Sequence, residues 1–250
     1  MASPKRIETV SELLSASWSV LSGFQGQPWW RGHADASWRL VPGVHRADHG
    51  PFYEANIATK FAQRAPTRHP NTPPEGALAS WLFLMQHYGL PTRLLDWTES
   101  PLLATYFAVS EEGHATEDGA LWALDPFSMN EITAGQEGLL QPGHPYVANL
   151  VNLAFTHGTA GDPSVAAIVT EEIDLRMLVQ LSGFTIHGSP NPLEARSDLD
   201  GILKSYLIPA FAKERVRREL ASLGIRERNV FPDLEHLARD LARDEYADFR

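Results

Sequence analysis

Apolar residues fall at helical spacing from Ile7 to Leu21, where Ile7, Val10, Leu13, Leu14, Trp18 and Leu21 predict one amphipathic helix. The period then shortens. Trp29–Arg31 and Ser37–Leu40 predict two short strands around the polar turn HADAS, closing at Pro42. The proline-rich stretch RAPTRHPNTPPEG (Arg64–Gly76) reads as a loop. Ala77–Tyr88 is helical in pattern, and Gly89 is placed to end it in a left-handed conformation. After the bend GLPTRLLDWT, Ser100 and Pro101 form a helix start, with a hydroxyl at the N-cap and proline at the first helical position. The helix they open, PLLATYFAV, is apolar on nearly every side and is expected to be buried.

GALWALDP (Gly119–Pro126) predicts a core strand, and GFTIH (Gly183–His187) another. The residues between Asn130 and Ala167 carry no clear period. Ile208, Phe211, Val216, Leu220 and Leu223 mark one face of a helix that stops at Gly224, and Leu234, Leu237 and Leu241 mark a last helix. No internal repeat or low-complexity tract appears. The expected fold is α+β: a single domain of short, mainly antiparallel strands with flanking helices. A helical segment over residues 1–23 precedes a domain over 24–250.

Composition narrows the function classes. The 250 residues, 43% hydrophobic and 21% charged, are those of a globular protein able to bury a large core. With 21 basic and 31 acidic side chains the formal charge is -10, which weighs against a passive nucleic-acid coat but not against a small positive pocket. There is no cysteine, so thiolate catalysis, cysteine-ligated zinc, iron–sulfur clusters and disulfides are excluded. No signal-peptide pattern and no apolar run of the ~20 residues that span a bilayer is present, so a cytoplasmic location without membrane partners is expected. The ten histidines form neither HxH nor HExxH, and no metal is expected. Dinucleotide-type GxGxxG, P-loop and GxSxG motifs are absent.

The densest polar segment is QHYGLPTRLLDWTES (Gln86–Ser100), which sets His87, Thr92, Arg93, Asp96, Thr98 and Ser100 between two apolar helices. Each buried polar group left unsatisfied costs about 1–3 kcal/mol. The segment is therefore either a structural knot, with Asp96 on Arg93 and Thr98 capping the next helix, or a site. Arg31 also has two readings. It is a strand arginine stacked on Trp29 or Trp30, or it binds an anion, with Gly32 admitting the ligand and the tryptophans walling it. Gln180, in DLRMLVQLSGFTIHG (Asp174–Gly188), either holds a ribose hydroxyl or amide or closes a loop. The basic run from Lys213 to Arg228 is interrupted by Glu214, Glu219 and Glu227, the pattern of a solvated helix face and the only local candidate for a nucleic-acid contact.

Taken together, WWRGH, WRLVPGVHR, QHYGLPTRLLDWTESPLLATYFAV, RMLVQLSGFTIHG and FPDLEHLA resemble the FRG domain, named for an aromatic-Arg-Gly motif that here is Trp30-Arg31-Gly32. The resemblance runs from about Phe24 to Leu241. It implies a bacterial or phage family associated with mobile or defence genes. A weaker resemblance is to ADP-ribosyltransferases of the arginine–serine–glutamate type, which implies a fold of that kind and NAD as substrate. On it Trp30, Arg31, Gly32, Thr92, Arg93, Thr98 and Ser100 would bind the dinucleotide, Arg31 clamping its phosphates. His87, Asp96 or Gln180 would supply the catalytic polar group, since no Glu-x-Glu or Gln-x-Glu is present. The implied activity is mono-ADP-ribosyl transfer by a toxin or anti-phage effector, with a protein or nucleic-acid acceptor and a neutralising antitoxin or operon partner. Two alternatives stay open: a non-catalytic nucleotide or nucleic-acid recognition module, and a nuclease or phosphohydrolase using His87 and Asp96.

Overall fold

A seven-stranded mixed sheet forms the frame of the computed structural model, which describes residues 4–47, 49–50, 52–156, 162–169 and 179–247. Its strands are β1 (Lys5–Arg6), β2 (Trp29–His33), β3 (Leu94–Thr98), β4 (Gly119–Leu124), β5 (Val165–Ile168), β6 (Ser182–His187) and β7 (Leu203–Ile208). They lie in the order β1-β7-β4-β2-β3-β6-β5, parallel between β1 and β7 and antiparallel elsewhere. The described helices that flank it are α1 (Val10–Leu21), α2 (Tyr53–Arg64), α3 (Leu78–His87), α4 (Pro101–Val109), α5 (Pro126–Ala134) and α6 (Pro145–Leu153), then α7 (Ala210–Ser222), α8 (Glu227–Val230) and α9 (Leu234–Ala247). The fold is thus α+β with mainly antiparallel strands. Among the described residues no helix is long and apolar enough to cross a membrane.

The local signals for helix ends hold. Ser100 Oγ accepts from the Leu103 N–H, and Pro101 opens α4. Gly89 ends α3 at φ 75° and Gly224 ends α7 at φ 85°, where a side chain would be strained. Other expectations need correction. The first helix begins at Val10 rather than Ile7, because Thr9 caps it and the Ile7 N–H bonds the Leu207 carbonyl as a continuation of β1. Ser37–Leu40 forms no strand. Asp35 folds the chain into a turn by accepting from the Ser37 N–H, and Glu194 then accepts from the Arg39 side chain and the Leu40 N–H. The bend expected after Gly89 contains β3, a central strand. Ile208 belongs to β7, and Phe211 and Leu223 of the predicted helix face are exposed, leaving Ala212, Val216 and Leu220 to pack inward.

Side chains alternate across each strand, so the pairing of Trp30 with Thr98 puts Trp30, Thr98, Asp96 and Leu94 on one face of the sheet. That face carries two apolar clusters. Trp30, Leu121, Tyr206 and Ile208 pack with α1, α4 and α7, while Leu94, Phe184 and Ile186 pack with α3 and α6. A third cluster, with Trp29, Leu95, Trp97 and Leu124, covers the opposite face beneath Met129 of α5. The two clusters on the first face part where β2 meets β3. There α4 crosses β2 so closely that a Cβ on Gly32 would lie 1.8 Å from the Ala104 carbonyl oxygen and 2.8 Å from the Ala108 nitrogen. Only glycine fits.

Candidate functional site

β2 and β3 share a single registered pair, Trp30 with Thr98, although each pairs along its length with its other neighbour. Beyond that pair the strands splay and a cleft of ≈ 870 Å³ opens between α3 and α4. Arg31 bridges the gap. Its Nη1 donates to the main-chain oxygen of Asp96 at 2.6 Å and lies 3.6 Å from the Asp96 carboxylate. Its Nε donates to His33 Nε2 at 3.0 Å. The sheet thus substitutes a guanidinium for ladder bonds it cannot make.

This bond sets the histidine tautomer. His33 Nε2 accepts, so Nδ1 carries the proton and donates to the Trp38 carbonyl at 3.2 Å. Burial, then the Arg31 charge, pushes the His33 pKa down to about 3, and the ring is neutral at physiological pH. Burial also lowers the Arg31 pKa from its ordinary value, with Asp96 opposing.

On the cleft side the same chain of bonds continues. Gln86 Nε2 donates to Asp96 Oδ2 at 2.8 Å, and Thr92 Oγ1 donates to Gln86 Oε1 at 2.5 Å, which fixes the amide orientation. Asp96 is therefore clamped by Gln86 and Arg31 while its side chain stays 54% exposed. The carboxylate is thus held in one orientation at the wall of the cleft.

The remaining predicted residues divide. Trp30, Gly32, His87, Asp96, Thr98 and Gln180 line the cleft together with Arg31. Thr98 Oγ1 donates to the Gln180 carbonyl at 2.6 Å, and Gln180 Nε2 donates to the Val230 carbonyl, tying the approach to β6 against β3. Residues 174–178 of the DLRMLVQLSGFTIHG segment lie outside the described residues. Thr92, Arg93 and Ser100 do not line the cleft. Thr92 is buried behind Gln86, Ser100 serves as the cap of α4, and Arg93 forms a buried ion pair with Glu54, Nη2 to Oε2 2.5 Å, rather than with Asp96.

Three roles expected near the aromatic-Arg-Gly triplet also change. Trp29 and Trp30 are buried in opposite cores, and Trp30 reaches the cleft wall while only 2% exposed. The exposed rings at the cleft are instead Trp38 and Tyr88. Gly32 makes room for α4, and Arg31 spends Nε and Nη1 on His33 and Asp96. Gln86, His33 and Trp38 are the participants that residue-type reasoning missed. Gln86 adjoins His87 in the polar segment, and His33 follows the triplet by one position. The basic run on α7 is a salt-bridged surface, with Arg217 and Arg218 on Glu214, while Lys213 turns inward to the Ala34 and His114 carbonyls. Among the described residues no group of three or more histidines and carboxylates is placed to hold a metal ion.

The FRG domain family model matches residues 26–117, which include β2, α3, β3 and α4. The comparisons with curated proteins and with solved structures give no match, and none adds a likeness to ADP-ribosyltransferases. The Arg31–Asp96 bridge lies within the residues that the family model matches, and Gln180 reaches the cleft from outside that span.

Proposed function

We propose that the cleft binds NAD and breaks its nicotinamide–ribose bond, with transfer of ADP-ribose to a protein or nucleic-acid acceptor or to water. The observation that carries this reading is the clamped, half-exposed Asp96 carboxylate beside Thr98 and Gln180. As the C1′–N bond breaks, its electron pair leaves with nicotinamide and the ribose becomes oxocarbenium-like. A fixed carboxylate next to that centre stabilises the developing charge, and because Gln86 and Arg31 have already oriented it, little reorganisation is needed at the moment of reaction. The acceptor oxygen then bonds C1′, and His87 is the cleft residue suited to take its proton. Thr98 and Gln180 are polar groups within the same cleft for a ribose hydroxyl.

In this reaction Arg31 positions Asp96, with Nε on His33 and Nη1 on the Asp96 main-chain oxygen. The wider role that goes with this chemistry is a toxin or defence effector, with a neutralising partner.

The test is incubation of the chain with NAD, with and without nucleic acid and whole-cell protein. Mass spectrometry would follow released nicotinamide and added ADP-ribose. Asp96→Asn retains the shape and the main-chain bond to Arg31, and should lose about 10²–10³-fold of the turnover. Binding of NAD without product would identify a recognition module instead, for which the exposed rings of Trp38 and Tyr88 already offer stacking surface. Neither binding nor product would defeat the NAD reading.

A further inference from the structure

The charges around the cleft run opposite to what the arginine of the motif leads one to expect. Among the described residues four formally charged side chains line it: three carboxylates, Asp96, Glu111 and Asp233, and Arg31. Arg31 commits Nε to His33 and Nη1 to Asp96, and the Asp96 carboxylate 3.6 Å away offsets its charge. The carboxylates have neighbours of their own. His236 Nδ1 lies 2.7 Å from Asp233, and His114 Nε2 lies 3.9 Å from Glu111. Asp96 and Glu111 nonetheless remain more than half exposed, at 54% and 55%. The formal charge of -10 adds a background of the same sign.

The walls bring in a second, separate chemistry. Trp38, 39% exposed, Tyr88, 56% exposed, and Phe107 line the same cleft. Aromatic faces attract cations through the ring quadrupole and stack on flat ligands. A phosphate in this space would meet three carboxylates, whereas a flat cation would meet rings and carboxylates together. Volume is not limiting, since ≈ 870 Å³ holds a nucleoside with room to spare.

We infer that the cleft selects a positively charged planar heterocycle, an N-alkylated pyridinium or purine, over the neutral ring of the same shape, and leaves any attached phosphate outside. The inference deepens the NAD reading, because it assigns the cleft to the cationic ring end of the dinucleotide. It can also stand without turnover, since the preference is a property of binding.

Two matched pairs of small probes test it on the full chain by calorimetry or ligand-observed NMR: 1-methylnicotinamide against nicotinamide, and 7-methylguanosine against guanosine. The expected result is that at least one cation binds about five- to thirty-fold more tightly than its neutral parent, the size of a cation–π contact plus a screened carboxylate. That advantage should shrink at high salt and in Glu111→Gln, an exposed change that leaves the Arg31–Asp96 bridge intact. Which pair shows the preference distinguishes a pyridinium from a purine ligand. Equal affinity within both pairs, tighter binding of the neutral rings, or no binding of either cation overturns the inference. Cation preference without nicotinamide release from NAD would defeat the proposed reaction alone. Nicotinamide release without cation preference would defeat the inference alone.

Discussion

At the scale of single residues, chemistry and packing share one short stretch, and neighbours in sequence have different jobs. Trp30 fills a core, Arg31 braces the splayed strands, Gly32 admits α4, and His33 holds the arginine. The motif lines the cleft, but residue type does not disclose the division of labour. An aromatic-Arg-Gly triplet read by residue type invites a phosphate clamp with a stacking wall. What that reading cannot contain is the Ala104 carbonyl, which comes from a helix some seventy positions away in sequence. Asp96 was legible as a candidate because a carboxylate stood in an apolar context, yet its partner was misassigned: Arg93 is nearer in sequence, but Arg31 is nearer in space. Gly32→Ala separates the packing role from a ligand role. A Cβ against backbone cannot be relieved by a rotamer change, so α4 must shift, and a loss of about 3 kcal/mol or more is expected. Urea unfolding measures it without any ligand. A variant within about 1 kcal/mol of the parent would mean that Gly32 is kept for the cleft rather than for the helix.

At the scale of elements, what the sequence disclosed depended on whether the signal was local. Caps and stops are local. Ser100 with Pro101, Gly89 and Gly224 each carry their own reason for ending or starting a helix, and each appears where the residues place it. β3 was missed for a physical reason. Leu94, Leu95 and Trp97 are buried on both faces of a central strand, so LLDWT lacks the alternation that a half-solvated strand displays. The converse case is Ser37–Leu40, where strand-like residues are held by an Asp35 turn and by Glu194 instead of a ladder. The cleft wall rests on a correctly read signal, because α4 begins directly after β3 and is oriented by its cap. Ser100→Ala should cost about 1 kcal/mol, from one helix N–H left without its acceptor. Ser100→Asp should recover it, since a carboxylate caps as well and complements the helix dipole. Thermal melting of the two variants measures the pair. Equal losses in both would show that the hydroxyl has a partner other than the Leu103 N–H.

At the scale of the whole molecule, three neutral histidines lie in the structure around the cationic side chains that hold the centre of the sheet. Burial is the first cause in each case, and for His33 and His45 the nearest arginine comes next. His33 lies beside Arg31 and is pushed to about 3, and His45 lies near Arg93 and is pushed to about 4. His187, in β6, is pushed to about 3 amid His45, Arg196, Arg31 and Arg93. The His187 ring shares a bond with the Thr185 hydroxyl at 2.8 Å, and His45 Nε2 is buried with no partner among the described residues. Neither has a carboxylate in place to welcome a proton. The folded pKa values sit below the ordinary 6.5, so between about 6.5 and 3 the unfolded chain binds protons that the native chain refuses. Stability is then complete above pH 6.5 and falls as pH drops through that window, by roughly 2 kcal/mol for each such histidine at about pH 5. This onset lies above the range in which most carboxylates titrate, so it can be distinguished from ordinary acid unfolding. Urea midpoints taken from about pH 8 down to about pH 5 should be flat and then decline. His187→Gln, which retains a polar partner for Thr185 and cannot be charged, should make the decline shallower. A midpoint unchanged down to about pH 5 would mean that the histidines accept protons in the folded chain, and the account of them as buried neutral rings would have to be abandoned.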